Sequence, residues 1–159
     1  IALLLFVTLT SACGGSMLSG PLIDRSAQIR ETDDTRAIVD VMTEYRRAVE
    51  GMDIDRIHAL VARDYYENAG TTDTTEDDYG YSGVAGMLRT LRTHIEDFRI
   101  EVAIRDIVVE GDRADVFFEY SIVLLYRVGD NSRWQTERDV NRIELQREED
   151  GRWLILSGL

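Results

Sequence analysis

Apolar residues recur along this chain with two different periods, and the change falls near Phe98. From Thr32 to Phe98 the spacing is helical. Ile38, Val41, Met42, Tyr45, Ala48 and Val49 share one face, behind "TDDT" at residues 32–35, which offers N-cap oxygens and first-turn acids. Gly51 ends that helix. A second is predicted from an Asp53 cap to about Asp64, with Ile54, Ile57, Leu60 and Val61 facing inward. The polar stretch "ENAGTTDTTEDDYGYSG" cannot be a helix interior. A third helix follows Ser82, carrying Val84, Met87, Leu88, Leu91, Ile95 and Phe98 at spacings of three and four. Beyond Phe98 the period becomes two. "RIEVAIRDIVVEG", "RADVFFEYSIVLLYRV", "RWQTERDVNRIELQRE" and "RWLILSG" are β-branched and aromatic-rich runs, separated by Gly111-Asp112, "GDNS" and Asp150-Gly151. This pattern predicts an α+β domain, three helices packed on one face of a four-stranded antiparallel meander. Both faces of "FFEYSIVLLY" are apolar, which places that strand centrally, with its outer side covered by something else, such as a second copy of the chain.

Ahead of the domain, Ile1 to Ala12 carries no charge and is about half the roughly 20 apolar residues that a spanning helix needs. It has the length and small-residue exit of a secretory h-region, with Thr10, Ser11 and Ala12 leading into Cys13, the single cysteine. These residues resemble the lipobox of bacterial lipoproteins. The resemblance implies a leader over residues 1–12, a lipidated Cys13, and an exported chain held on a membrane of the cell envelope. Residues 13–31, with "GGSMLSG" and Pro21, read as a flexible tether, and residues 32–159 as the folded domain.

Composition narrows the partners. The formal net charge is -12, with 30 Asp and Glu against 18 basic residues, all of them Arg. Such a surface repels phosphate backbones, so nucleic acid is not an expected partner. With Cys13 given to lipid and no His pair at ligand spacing, no zinc site is expected, and nothing implies a cofactor. "DTTEDD", Asp73 to Asp78, begins like a calcium loop, but Asp78 stands where the turn glycine belongs and Val84 where the bidentate Glu belongs.

The segments "EYRRAVEGMDIDRIHALVARDYYEN", "YSGVAGMLRTL" and "VNRIELQREEDGRWLILSGL" resemble the cone-shaped α+β domains of the nuclear transport factor 2-like superfamily. That superfamily includes SnoaL-like cyclases and ketosteroid isomerases. The resemblance implies a strongly bent sheet that encloses a cone with the helices, and the lining of that cone decides function. Laid on the isomerase pattern, Tyr45 matches the oxyanion Tyr, the general base falls on Ala69, and the protonated Asp falls on Asn141. Ala69 cannot take a proton, and Glu67 could replace it only if the loop rearranged.

Further candidates come from the residues themselves. Glu137, Asp139, Asn141, Ile143 and Leu145 alternate onto one face of the third strand; if that face lines the cone, Asp139 is a candidate acid or base, and the opposite alternation puts Arg138 and Arg142 inside. Tyr65, Tyr66, Tyr79 and Tyr81 flank the polar loop and, with Tyr120, Tyr126 and Trp134, form an aromatic set suited to a flat or greasy ligand, or to pinning the loop. His58 and His94 each sit on a helix beside the apolar face. Two functions stay open. One is a membrane-anchored, non-catalytic domain binding a small apolar ligand or an envelope protein, with Tyr45, Tyr65, Tyr66, Asn141, Tyr120 and Trp134 as ligand-binding residues and a homodimer through the sheet. The other is an enzyme using Asp139 or Glu67 as base and Tyr45 as hydrogen-bond donor.

Overall fold

The structure is a computed structural model that describes residues 16–68 and 78–159. The leader and Cys13, Ala69, and all but Asp78 of the acidic loop lie outside the described residues.

Helix α1 spans Asp33–Glu50. Its start is fixed reciprocally: the Thr35 amide donates to Thr32 Oγ1 at 3.1 Å, and the Thr32 amide donates to Thr35 Oγ1 at 2.9 Å. Asp33 and Asp34 occupy the first turn, where negative charge offsets the helix dipole. Ile38, Met42 and Ala48 form its fully buried stripe. Helix α2 is short, Ile54–Ala59, with Asp53 accepting from the Arg56 amide at 3.0 Å. The extension to Asp64 does not form. The Leu60 carbonyl accepts from Ile155 and the Ala62 amide donates to Ile155, both at 2.8 Å, so the backbone runs beside the sheet instead of closing another helical turn.

A two-stranded ribbon, β1 (Tyr66–Glu67) and β2 (Tyr79–Gly80), closes the base of the polar loop. Helix α3 covers Tyr81–Arg92, and Ile95 and Phe98, expected to continue it, belong instead to β3 (Ile95–Glu110). A bulge between Ile95 and Asp97 explains the misleading spacing. The extra residue turns two positions three apart toward the same side of the sheet, which imitates a helical interval.

Strands β4 (Arg113–Val128), β5 (Asn131–Arg147) and β6 (Trp153–Ser157) complete an antiparallel sheet in the order β3-β4-β5-β6. Gly111 and Gly129 open the two tight hairpins at φ of 62° and 60°, a region that side chains with a Cβ enter only with strain. The helices cover one face of the sheet, and the core there is built from Ile104, Val116, Ile143, Leu145 and Ile155 with Ile38 and Met42. The protein has the cone-shaped α+β architecture, with its helices preceding a curved antiparallel sheet and β4 inside it.

Residues 16–31 depart from the expected flexible tether. They fold back on themselves through Leu18 N–H to the Ile29 carbonyl and Glu31 N–H to the Ser16 carbonyl, each at 2.8 Å. They then grip the edge of β3, where the Asp24 amide donates to the Ile104 carbonyl and the Ile104 amide to the Leu22 carbonyl. Leu22 is 5% exposed and Ile29 2% exposed, so this clasp is part of the core. Gly, Ser and Pro in this stretch mark its turns, while three well-separated aliphatic residues hold it down.

Candidate active-site cavity

Between the C-terminal half of α1, the start of α2, α3 and the first residues of β3 lies a cavity of about 320 Å³. Its wall is largely apolar: Val49, Ile54 and Ile57 from the first two helices, Leu88 from α3, and Ile95 and Phe98 from β3. Tyr45, Tyr79, Arg92 and Leu159 also contribute, and among the described residues no carboxylate or imidazole side chain does. The bulge in β3 is what brings Ile95 and Phe98 to the wall together.

Of the residues expected to bind ligand or act as base, Tyr45 alone lines this cavity, joined there by Tyr79 of the aromatic set. The Tyr45 hydroxyl has no hydrogen-bond partner among the described residues, and its pKa is pushed up to about 12 by burial and then by Tyr79 and Tyr120. It is therefore a neutral donor at physiological pH. Burial likewise raises the Tyr79 phenol. Tyr65 lies behind the wall, 3% exposed, its ring 6.1 Å from that of Tyr79, and burial lifts its pKa far above the ordinary range.

Glu67 faces away from this cavity. Its Oε2 accepts from the Gly158 amide at 2.8 Å and from the Tyr65 hydroxyl at 3.4 Å, and the Leu159 amide donates to the Tyr65 oxygen at 3.4 Å. Together these bonds latch the residues after β6 and hold Leu159 in the cavity wall. Asn141 joins the same latch, donating from Nδ2 to the Gly158 carbonyl at 3.1 Å. Glu67, Asn141 and Tyr66 line a separate, polar groove of about 540 Å³.

The alternation of β5 is settled by burial. Ile143 and Leu145 are fully buried, so Asp139 and Asn141 share the cone-facing side, while Arg138 and Arg142 point outward to Glu119 (2.9 Å) and Asp115 (3.3 Å). Asp139 is nonetheless exposed, lying beyond the covered part of the sheet, and its Oδ1 accepts from the Val140 amide at 2.8 Å. Tyr120, opposite Asp139, donates to Glu137 at 3.2 Å. Trp134 pairs with Leu125 on the outer face and is 59% exposed, and Tyr66 bonds to Asp78 outside the cone. The aromatic set is thus dispersed over three surfaces. His58 Nε2 lies 3.1 Å from the Tyr81 carbonyl and its ring 4.1 Å from the Tyr81 ring, while His94 Nδ1 lies 2.9 Å from Thr93 Oγ1. Both imidazoles are occupied locally.

Arg92 and Leu159 are wall residues that the sequence candidates omit. Arg92 closes the amphipathic pattern of α3 and reads as a helix-ending cation; only the folded chain shows it beside Ile95 and Phe98.

A helical layer closing a curved antiparallel sheet into a cone defines the nuclear transport factor 2-like class, and solved structures agree. The chain is similar to a ketosteroid isomerase-like protein from Erwinia carotovora atroseptica, with a TM-score of 0.66 at 14% identity, covering 80% of this chain and 95% of that one. It is similar to a nuclear transport factor 2-like superfamily protein from Salmonella enterica serovar Typhimurium, with a TM-score of 0.63 at 14% identity, covering 80% and 90%. A conserved protein from Planctomyces limnophilus aligns with a TM-score of 0.63 at 16% identity, covering 79% and 92%. These likenesses establish the fold. Residues 39–121 match the family model described as SnoaL-like polyketide cyclase, and the chain belongs to this SnoaL-like family. No curated protein matches it.

Proposed function

We propose that this chain is a lipid-anchored protein of the bacterial cell envelope whose cone binds a small apolar ligand without transforming it. The observation that carries this reading is the cavity wall: predominantly apolar, with Arg92 its one charged side chain among the described residues, Tyr45 a phenol with no described partner, and no described side chain that would accept a proton at neutral pH. An apolar body would be held by burial, and one oxygen on it would accept from Tyr45. The outward face of the sheet, where Phe117, Val140 and Trp134 stand exposed, offers a surface to a second copy of the chain.

An isomerase-like or dehydratase-like enzyme is the other reading, favoured by the close pair of Tyr65 and Glu67. It requires Glu67 to leave the Gly158 amide and enter the cone. Native mass spectrometry of the chain purified from an envelope extract tests the binding function. A copurifying compound lost on organic extraction is the expected result, and a clean apo mass that resists loading with apolar compounds would overturn it.

A further inference from the structure

Among the described residues, Arg92 is a cation without a counterion. The chain carries 30 acidic residues against 18 arginines, and most described arginines sit in an ion pair. Arg92, in the last turn of α3, has no hydrogen bond or ion pair among the described residues, yet it is part of the wall of a cavity whose other described side chains are uncharged. The acids nearest to it in sequence are engaged elsewhere. Glu96 is held by Arg127 and by Ser132 at 2.6 Å, and Asp97 faces Arg99 at 3.6 Å. A positive charge in a final turn also offsets the helix dipole, but Arg89 in the same turn supplies that without touching the cavity.

From this placement we propose that the ligand is an anionic amphiphile, its apolar body in the cone and its carboxylate-type head on Arg92. The inference rests on the cavity being a binding site and adds the charge of what enters it. A guanidinium at the mouth of an apolar pocket offers a charged, two-pronged donor to a head group that the pocket itself cannot solvate. A cationic ligand would meet repulsion there, and a wholly neutral one would leave the guanidinium without a role in recognition. The net charge of -12 repels anions at long range, so recognition depends on this local contact.

The test uses the neutral fluorescent probe N-phenyl-1-naphthylamine in the cavity, displaced by decanoate or by 1-decanol at equal chain length. Decanoate is expected to compete about tenfold more weakly against Arg92→Gln than against the parent, with 1-decanol unchanged and Arg92→Lys intermediate. As Arg92 is exposed, these variants should fold like the parent, which circular dichroism checks. If Arg92→Gln leaves decanoate unaffected while the probe still binds, the anionic inference fails and the cavity reading survives. If the parent binds neither probe nor competitor, both fail together.

Discussion

Tyr45 concentrates the chemistry of the cavity in one hydroxyl. Because the folded-state pKa is near 12 and the unfolded phenol ionises near 10, the unfolded chain releases its proton first as pH rises. The stabilisation from keeping this phenol neutral is therefore complete below about pH 10 and is lost as pH climbs toward 12. Tyr45→Phe is expected to flatten that alkaline loss in urea titrations read at pH 9 and pH 11, while changing stability at pH 7 by less than about 1 kcal/mol. The same variant should weaken an oxygen-bearing ligand about fivefold and leave a pure hydrocarbon untouched, which displacement titration measures. Gly158 shows the opposite kind of dependence, on backbone alone. At a φ of 93° it passes so close to β5 that a Cβ would lie 2.2 Å from the Arg142 carbonyl oxygen, and the latch to Glu67 depends on that approach.

Among the elements, the clasp of residues 16–31 is the one whose composition concealed its role. Gly, Ser and Pro point to a tether, and the stretch has no period because its contacts are made by Leu18, Leu22 and Ile29 at irregular intervals. Ile29→Ala is expected to lower stability by about 2–4 kcal/mol, visible as a shifted urea midpoint; a tether would show no change. The long elements were legible because their periods are strong. α1 announces itself through Thr32, Asp33 and a clean apolar stripe, and the four strands through alternation and glycine turns. Legibility failed where tertiary contacts override local pattern. Leu60 to Ala62 leave the helix for the edge of β6, and the bulge at Ile95 disguises a strand as a helix. Of the site, Tyr45 was readable from its place on α1. Arg92 and Leu159 were not, since what makes them wall residues is a contact between segments far apart in sequence.

For the whole molecule, the proposed anchor gives the acidic surface a setting. Among the described residues no helix is long and apolar enough to cross a membrane, and the proposed attachment is through Cys13. Cys13→Ala is expected to move the chain, expressed in a bacterial host behind a complete lipoprotein leader, from the membrane fraction to the soluble fraction, as read by immunoblot. Retention in the membrane fraction would count against the lipid anchor. The clasp then sets the geometry of attachment. It begins at Ser16, three residues past Cys13, a distance the chain covers with at most about 11 Å even when fully extended. The molecule would stand directly on the bilayer by the end where α1 begins, and Tyr45 lies about 18 Å further along that helix. Its cavity would thus stay within the reach set by that short link and the length of α1, close to the lipid headgroups.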